Sequence, residues 1–126
     1  SRAGWRVIPL VEPLKSIIER WRAVAPTNEY GLVFTDDGDP IDPSVATKAW
    51  PLVLKEAGIT KHVRLHDLRH TTVDLLYGAG VPDDLITLIV GHSNRDTSRA
   101  YRATGDNKRL TAAMKQLAGA LGYNEE

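Results

Sequence analysis

Residues 66–101, HDLRHTTVDLLYGAGVPDDLITLIVGHSNRDTSRAY, decide the fold. Apolar residues recur there at the three- and four-residue spacing of an α-helix, and glycines stand where each helix should end. One helix is predicted over about 66–77, ended by Gly78 or Gly80. A second is predicted over about 82–90, with proline and two aspartates in its first turn and Gly91 at its end. The segment is therefore helical, with its polar residues concentrated at both ends.

The same spacing predicts helices on either side of this segment. They cover about 12–24, 42–58 and 107–121, and a short one runs from Asn94 or Asp96 to about Ala103. In the helix over 42–58, Asp42 is the expected N-cap, Gly58 the stop, and Pro51 a kink or restart. Two apolar stretches, 5–10 and 30–35, predict strands, with a turn at Gly38 after the second. The fold class is therefore mostly α with a small antiparallel β-sheet (α+β).

Two of these helices have a predicted core face. On the helix over 66–77 it consists of Leu68, Leu75, Leu76 and Ala79. On the last helix it consists of Leu110, Ala113, Met114, Leu117 and Leu121. The last stripe suits either packing on the chain's own core or packing against a neighbouring protomer, and the sequence leaves both open.

Composition excludes several classes of protein. The chain has 126 residues and 42% hydrophobic residues, which suits one compact domain. Sixteen basic residues balance sixteen acidic ones, so net charge does not indicate nucleic-acid binding. The absence of cysteine excludes disulfides and thiolate metal sites, and it fits a cytoplasmic protein. No apolar run approaches the roughly 20 residues that span a bilayer.

His66, Arg69 and His70 lie on neighbouring parts of one helical surface. The two histidines have the spacing of a zinc motif, but Asp67 replaces its glutamate and Arg69 would repel a divalent cation. Phosphate is the better match, since arginine offers a planar fork of donors and imidazole donates or transfers a proton near neutral pH. For an isolated His-x-x-Arg, however, a histidine that simply forms a hydrogen bond inside the fold is the favoured interpretation. The cluster alone leaves these alternatives open.

Two residues downstream favour the phosphate interpretation. His92 follows the helix-ending Gly91, and Tyr101 follows nine residues later. Tyr101 stands in a segment with few apolar residues, so burial alone does not explain a tyrosine there. Arg95, Arg99 and Arg102 surround it and are candidates for contacts with DNA phosphates or for a solvated face.

In combination, these motifs resemble the catalytic core of the tyrosine recombinases, the phage-integrase family. Its pattern is a His-x-x-Arg box, a Gly-His-Ser box and a tyrosine nine residues past the second histidine, and all three occur here in order. One departure is Val90, where leucine usually precedes the Gly-His pair. The resemblance extends over nearly the whole chain.

The resemblance implies DNA strand transfer without metal, nucleotide or other cofactor. Tyr101 is then the nucleophile that forms a 3′-phosphotyrosyl bond, and Arg69 and His92 bind the phosphate oxygens. His66 is the proton-transfer partner of Tyr101, and His70 is a structural brace. Arg95, Arg99 and Arg102 remain tentative DNA contacts.

The resemblance also implies partners and missing parts. The partner is double-stranded DNA in the cytoplasm of a bacterial host cell, bound by a tetramer of the full-length protein without a membrane, and an accessory DNA-bending protein is compatible with this. The family needs a second arginine and a hairpin lysine upstream of residues 1–126, and an N-terminal DNA-binding domain. We therefore expect this chain, the C-terminal portion of a catalytic domain, not to recombine DNA alone.

Two other functions fit parts of the pattern. Residues 80–103 have the helix-turn-helix rhythm of a non-catalytic DNA-binding module. His66, His70 and His92 are the residues that a metal hydrolase would use. The recombinase alone predicts a covalent DNA adduct that depends on Tyr101.

Overall fold

The structure, a computed structural model, describes residues 6–91 and 107–123. The helices in these ranges are α1 (Leu14–Val24), α2 (Pro43–Glu56), α3 (Asp67–Gly78), α4 (Asp83–Val90) and α5 (Asn107–Ala120). Each begins and ends within two residues of a predicted helix, which confirms the helical part of the prediction. The short helix predicted to reach Ala103 lies outside the described residues.

The chain divides into two compact units. The larger comprises residues 1–16 and 69–126, and the smaller comprises residues 17–68. The hydrophobic core belongs to the larger unit, where α4 is apolar on nearly every side and is buried by its neighbours. The core residues are Leu76, Val81, Leu85, Ile86, Leu88, Ile89, Val90, Leu110 and Ala113.

Helix α5 packs on the core of its own chain. Leu110 and Ala113 are buried there, and Met114 and Leu117 pack against the same cluster. At the surface, Arg109 forms an ion pair with Asp84 of α4 (Nη1–Oδ2 3.2 Å). Of the two packing modes that the apolar stripe left open, the structure therefore has packing within one chain.

Both predicted core faces need a correction at one end. Leu76 is fully buried as predicted, but Leu68 retains 42% of its exposure, because it stands in the first turn of α3, outside the core cluster. Leu121 lies beyond the end of α5 and is also exposed. Ala118 is buried instead, although it was not predicted.

The predicted small sheet is wrong for the described residues. No strand occurs in residues 6–10 or 30–35. In place of a sheet, the described residues contain an isolated antiparallel β-bridge between Asp36 and Asp39. The reason is visible at Leu32, whose N–H and C=O both bind the Asn28 side chain (3.0 and 2.8 Å). Backbone groups held by a side chain are not available to a neighbouring strand.

The Trp21 indole has the same effect on the next residue. Its Nε1 donates to the Val33 carbonyl (2.6 Å), and its ring stacks on Phe34 with centroids 5.9 Å apart. An apolar stretch expected to form a strand is thus an irregular segment packed on α1. The turn that follows it is confirmed, with Gly38 at φ 97°.

Helix α2 begins as its sequence predicts. Asp42 is the N-cap, and its Oδ1 accepts a hydrogen bond from the Ser44 N–H (2.7 Å). Pro51 does not divide the helix, which runs unbroken to Glu56. Its C-cap is Ala57, one residue before the predicted stop at Gly58. The Trp50 indole anchors α2 to the loop before α3 by donating to the Val63 carbonyl (2.7 Å).

In residues 6–91 and 107–123, no helix is both long enough and apolar enough to span a membrane.

Candidate active site

Arg69 connects the start of α3 to the end of α4. Its Nη1 donates to the carbonyl oxygen of Val90, and its Nη2 donates to that of Gly91. The last carbonyls of a helix have no partner within the helix, and they lie at the negative end of its dipole. A half-buried guanidinium therefore caps α4 and binds the start of α3 to the end of α4.

This contact has a direct consequence for the next residue. The Gly91 carbonyl that Arg69 binds belongs to the peptide group joining Gly91 to His92. A guanidinium has five N–H donors, and these two bonds use two of them. The remaining N–H groups suit an oxyanion that approaches beside the same peptide.

The backbone conformation at position 91 favours glycine. Its φ is 72°, in the left-handed region that side chains with a Cβ disfavour, and its N–H closes the last turn of α4 on the Thr87 carbonyl (3.0 Å). The chain therefore turns out of the buried helix at this residue. His92 follows immediately, outside the described residues.

His66 is held in a turn that immediately precedes α3. The turn runs from Arg64 to Asp67, and the Asp67 N–H donates to the Arg64 carbonyl (2.9 Å). In return, the Asp67 carboxylate accepts from the Arg64 N–H (2.9 Å). His66 is exposed between them. The turn thus fixes the backbone of a residue whose side chain is not fixed by burial.

The charged pair at this turn has a clear electrostatic effect. The Arg64 guanidinium donates to both carboxylate oxygens of Asp67 (Nη2–Oδ1 2.8 Å, Nε–Oδ2 3.3 Å). The hydrogen bond to Asp67, and secondly its negative charge, raise the pKa of Arg64. Arg64 therefore remains a cation beside His66.

Possible metal ligands do not converge in the described part of the chain. No group of three or more His, Asp or Glu side chains comes together within residues 6–91 and 107–123. His92, the third histidine of the metal-hydrolase interpretation, lies outside these residues.

Comparison with known proteins identifies the family. The model of the phage integrase family matches residues 2–108. This chain belongs to the phage integrase family. An integrase of Saccharopolyspora erythraea is 34% identical over 98% of the chain, and a tyrosine recombinase of Thermosipho africanus is 26% identical over 87% of it. An integrase of Salmonella phage P22 is 36% identical over 61% of the chain. No solved structure matches.

The chain spans a minor part of these relatives. It corresponds to 30% of the length of the Saccharopolyspora integrase, 38% of the Thermosipho recombinase and 19% of the phage P22 integrase. What the whole protein does is therefore taken up as a proposal.

In this member of the phage integrase family, the described residues contain part of the predicted site. Arg69 and His66 lie at the start of α3 and just before it, and His70 lies on α3 with an exposed side chain. The remaining predicted site residues, His92, Arg95, Arg99, Tyr101 and Arg102, lie outside the described residues. The roles of all these residues stay predictions.

Two contacts at the site were not predicted from the sequence. The bonds from Arg69 to the α4 carbonyls leave no trace in residue types, because backbone carbonyls occur at every position. The turn at Arg64 does leave a trace in the sequence. An acidic side chain at a helix start that accepts from the backbone N–H three residues earlier is half of a capping box.

Proposed function

We propose that the full-length protein carries out site-specific DNA recombination by tyrosine-mediated strand cleavage and religation. Membership of the phage integrase family supports the reaction class. The observation that carries the proposal is the pair of bonds from Arg69 to Val90 and Gly91. They bring the arginine of the His-x-x-Arg box to the peptide that leads into the Gly-His-Ser box. One phosphate bound there would contact residues of both boxes.

The proposed reaction proceeds in two balanced steps. The Tyr101 phenol loses its proton and attacks a backbone phosphorus, so that a 3′-phosphotyrosyl bond forms and the bond to the 5′ oxygen breaks. The departing strand takes up a proton as a 5′-hydroxyl. A 5′-hydroxyl of the partner duplex then attacks the phosphotyrosyl bond and frees Tyr101. Because the covalent link retains the phosphodiester energy, no nucleotide is consumed.

Arg69 is proposed to stabilise the transition state at the phosphate. Negative charge accumulates on the phosphate oxygens as the tyrosine attacks, and a cationic donor held in place before the reaction lowers the barrier. The contacts with Val90 and Gly91 support this role, since they orient the guanidinium without using all its donors.

The two histidines are proposed to have different tasks. His66 exchanges a proton with Tyr101, because a phenol with an ordinary pKa near 10 needs a base at neutral pH. His92 donates to a non-bridging phosphate oxygen, and His70 braces α3. Arg95, Arg99 and Arg102 are proposed to contact phosphates on either side, an arrangement that would make DNA affinity fall with salt.

The partner is proposed to be double-stranded DNA in the bacterial cytoplasm. Exchange between two duplexes requires an active site for each of the four strands cut, which leads us to propose a tetramer on the recombining sites. A second arginine and a lysine elsewhere in the full-length protein are proposed to complete each pocket. An accessory DNA-bending protein would assist assembly.

The decisive experiment traps the covalent intermediate. Full-length protein is incubated with a library of nicked duplexes of random sequence, denatured with detergent, and the DNA that stays attached is sequenced. We expect adducts of one sequence family, lost completely in Tyr101→Phe and retained with a metal chelator. The control is Tyr77→Phe, which removes the hydroxyl of an exposed tyrosine on α3.

The alternatives predict other results. A non-catalytic DNA-binding module retains duplex DNA only before denaturation and tolerates Tyr101→Phe. A metal hydrolase leaves no adduct and stops in chelator. Either outcome contradicts the proposed recombinase.

A further inference from the structure

The turn that carries His66 is closed by two reciprocal hydrogen bonds. The Asp67 N–H donates to the Arg64 carbonyl, and the Asp67 carboxylate accepts from the Arg64 N–H, both at 2.9 Å. The Leu68 N–H adds a longer bond to the Leu65 carbonyl (3.3 Å). The backbone N–H and the side chain of Asp67 therefore both bind Arg64, the first residue of the four-residue turn.

His66 depends on this turn for its direction. It lies next to Asp67 and outside the regular part of α3, and its side chain is exposed. Burial therefore does not hold this side chain. The backbone of the turn sets the direction of its Cα–Cβ bond, and a displacement of about 1 Å at a reacting group costs on the order of a hundredfold in rate.

We infer that Asp67 is a positioning residue for His66, which it aims by closing the turn with Arg64. This inference rests on the proposed function, because it concerns the residue that exchanges a proton with Tyr101. Asp67 is not proposed to contact the reacting atoms. It acts through the Arg64 N–H, the turn and then the backbone of His66.

The backbone bond, rather than the ion pair, carries this role. The Arg64 side chain is 72% exposed, so that water and salt screen its attraction to Asp67. The bond from the Arg64 N–H persists when the guanidinium is removed. Arg64→Ala is therefore a matched control that deletes the ion pair and leaves the turn closed.

The test is a double-mutant cycle in the full-length protein, measured as the initial rate of covalent adduct formation on the trapped DNA sequence. We expect Asp67→Ala to lower the rate about tenfold to a hundredfold, with the dissociation constant for DNA unchanged. Arg64→Ala and Asp67→Asn should stay within about threefold, since both retain an acceptor for the Arg64 N–H.

The cycle separates positioning from general damage. In a His66→Ala protein, Asp67→Ala should lower the rate by no more than about threefold, because a residue that acts through His66 has nothing left to aim. Effects that multiply in the double variant overturn the inference, since Asp67 then acts independently of His66. Wild-type protein that forms no adduct contradicts the proposed function itself.

A second variant gives the same answer from the other partner of the bond. Arg64→Pro removes the N–H that donates to the Asp67 carboxylate, whereas Arg64→Ala keeps this N–H. We expect Arg64→Pro, and not Arg64→Ala, to reproduce the effect of Asp67→Ala. Equal rates for the two Arg64 variants, with both folded by circular dichroism, overturn the inference even if Asp67→Ala fails to fold.

Discussion

Arg69 has two roles that a single substitution would remove together. Its guanidinium caps α4 through the carbonyls of Val90 and Gly91, and it is also the proposed phosphate ligand. A loss of activity on substitution therefore does not by itself prove contact with DNA. Stability in the absence of DNA isolates the capping role.

We predict that Arg69→Lys lowers the free energy of unfolding by about 1–3 kcal/mol, the range for hydrogen bonds to charged groups. Lysine keeps the charge, but a compact ammonium lacks the planar fork that reaches two carbonyls. Urea denaturation without DNA measures the change.

The matched control is Arg109→Lys, which changes an exposed arginine that forms an ion pair with Asp84. Its effect should stay below about 1 kcal/mol. Equal stability of Arg69→Lys and wild type would show that the α4 carbonyls are satisfied without the arginine.

At this scale, the sequence singled out candidate residues but did not predict the contacts that the structure gives them. Arg69 was identified from its spacing to His66, His92 and Tyr101. Its carbonyl partners lie 21 and 22 residues away, at positions that no side chain marks. For Asp67, the partner is three residues away, and a capping-box pattern could have revealed it.

Among the elements, helix ends were predictable and strands were not. Caps and glycines act within a few residues, so Asp42 is the N-cap of α2 and Gly91 is the C-cap of α4, as expected. A strand instead needs a partner elsewhere. In the apolar segment at Leu32, the Asn28 side chain binds the backbone groups, so they are not available to a partner strand.

The N-cap of α2 should give a defined pH dependence. The backbone N–H of Ser44, and then its side chain, lower the pKa of Asp42 below its ordinary value of 3.8. A lowered pKa in the folded state stabilises the protein fully above the unfolded pKa, and this contribution is lost as pH falls through the folded pKa.

Asp42→Asn tests this, because asparagine also caps helices but does not titrate there. The difference in unfolding midpoint between wild type and this variant should be constant from pH 7 to about pH 5 and should change, to the disadvantage of wild type, below pH 3.8. A difference that is the same at pH 7 and pH 2 would contradict the role of the carboxylate.

The core around α4 makes a second prediction for the elements. Leu76 is completely buried, so Leu76→Ala should lower the free energy of unfolding by about 2–5 kcal/mol through lost burial and a cavity. Leu52→Ala on α2 is the control, because that side chain is 63% exposed and should change stability by less than about 0.5 kcal/mol. Similar losses for both would contradict the assignment of the core.

At the scale of the whole molecule, the proposed active site needs residues in addition to those of this chain. In the proposed pocket, Arg69 of this chain binds the phosphate together with a second arginine and a lysine from elsewhere in the full-length protein. The shares of its relatives that the chain spans, 30% and 38%, are consistent with that division.

We therefore predict that residues 1–126 alone form no covalent adduct on a DNA sequence that the full-length protein cleaves. A gel of denatured reactions, with equal amounts of both proteins, measures this. Tyr101→Phe in the full-length protein provides the blank. Adduct formation by the isolated chain at the full-length rate would show that its own residues suffice.

The sequence by itself determined the helices, their caps and the family of this protein. These follow from spacing along one dimension: helical periodicity, capping within a turn, and motifs at set separations. The tertiary structure decided that Arg69 binds the carbonyls before His92, that the 30–35 segment is not a strand, and that α5 covers its own core. Each depends on which backbone groups and side chains meet in the folded chain. Backbone groups are alike in every residue, so only the folded chain determines where they meet.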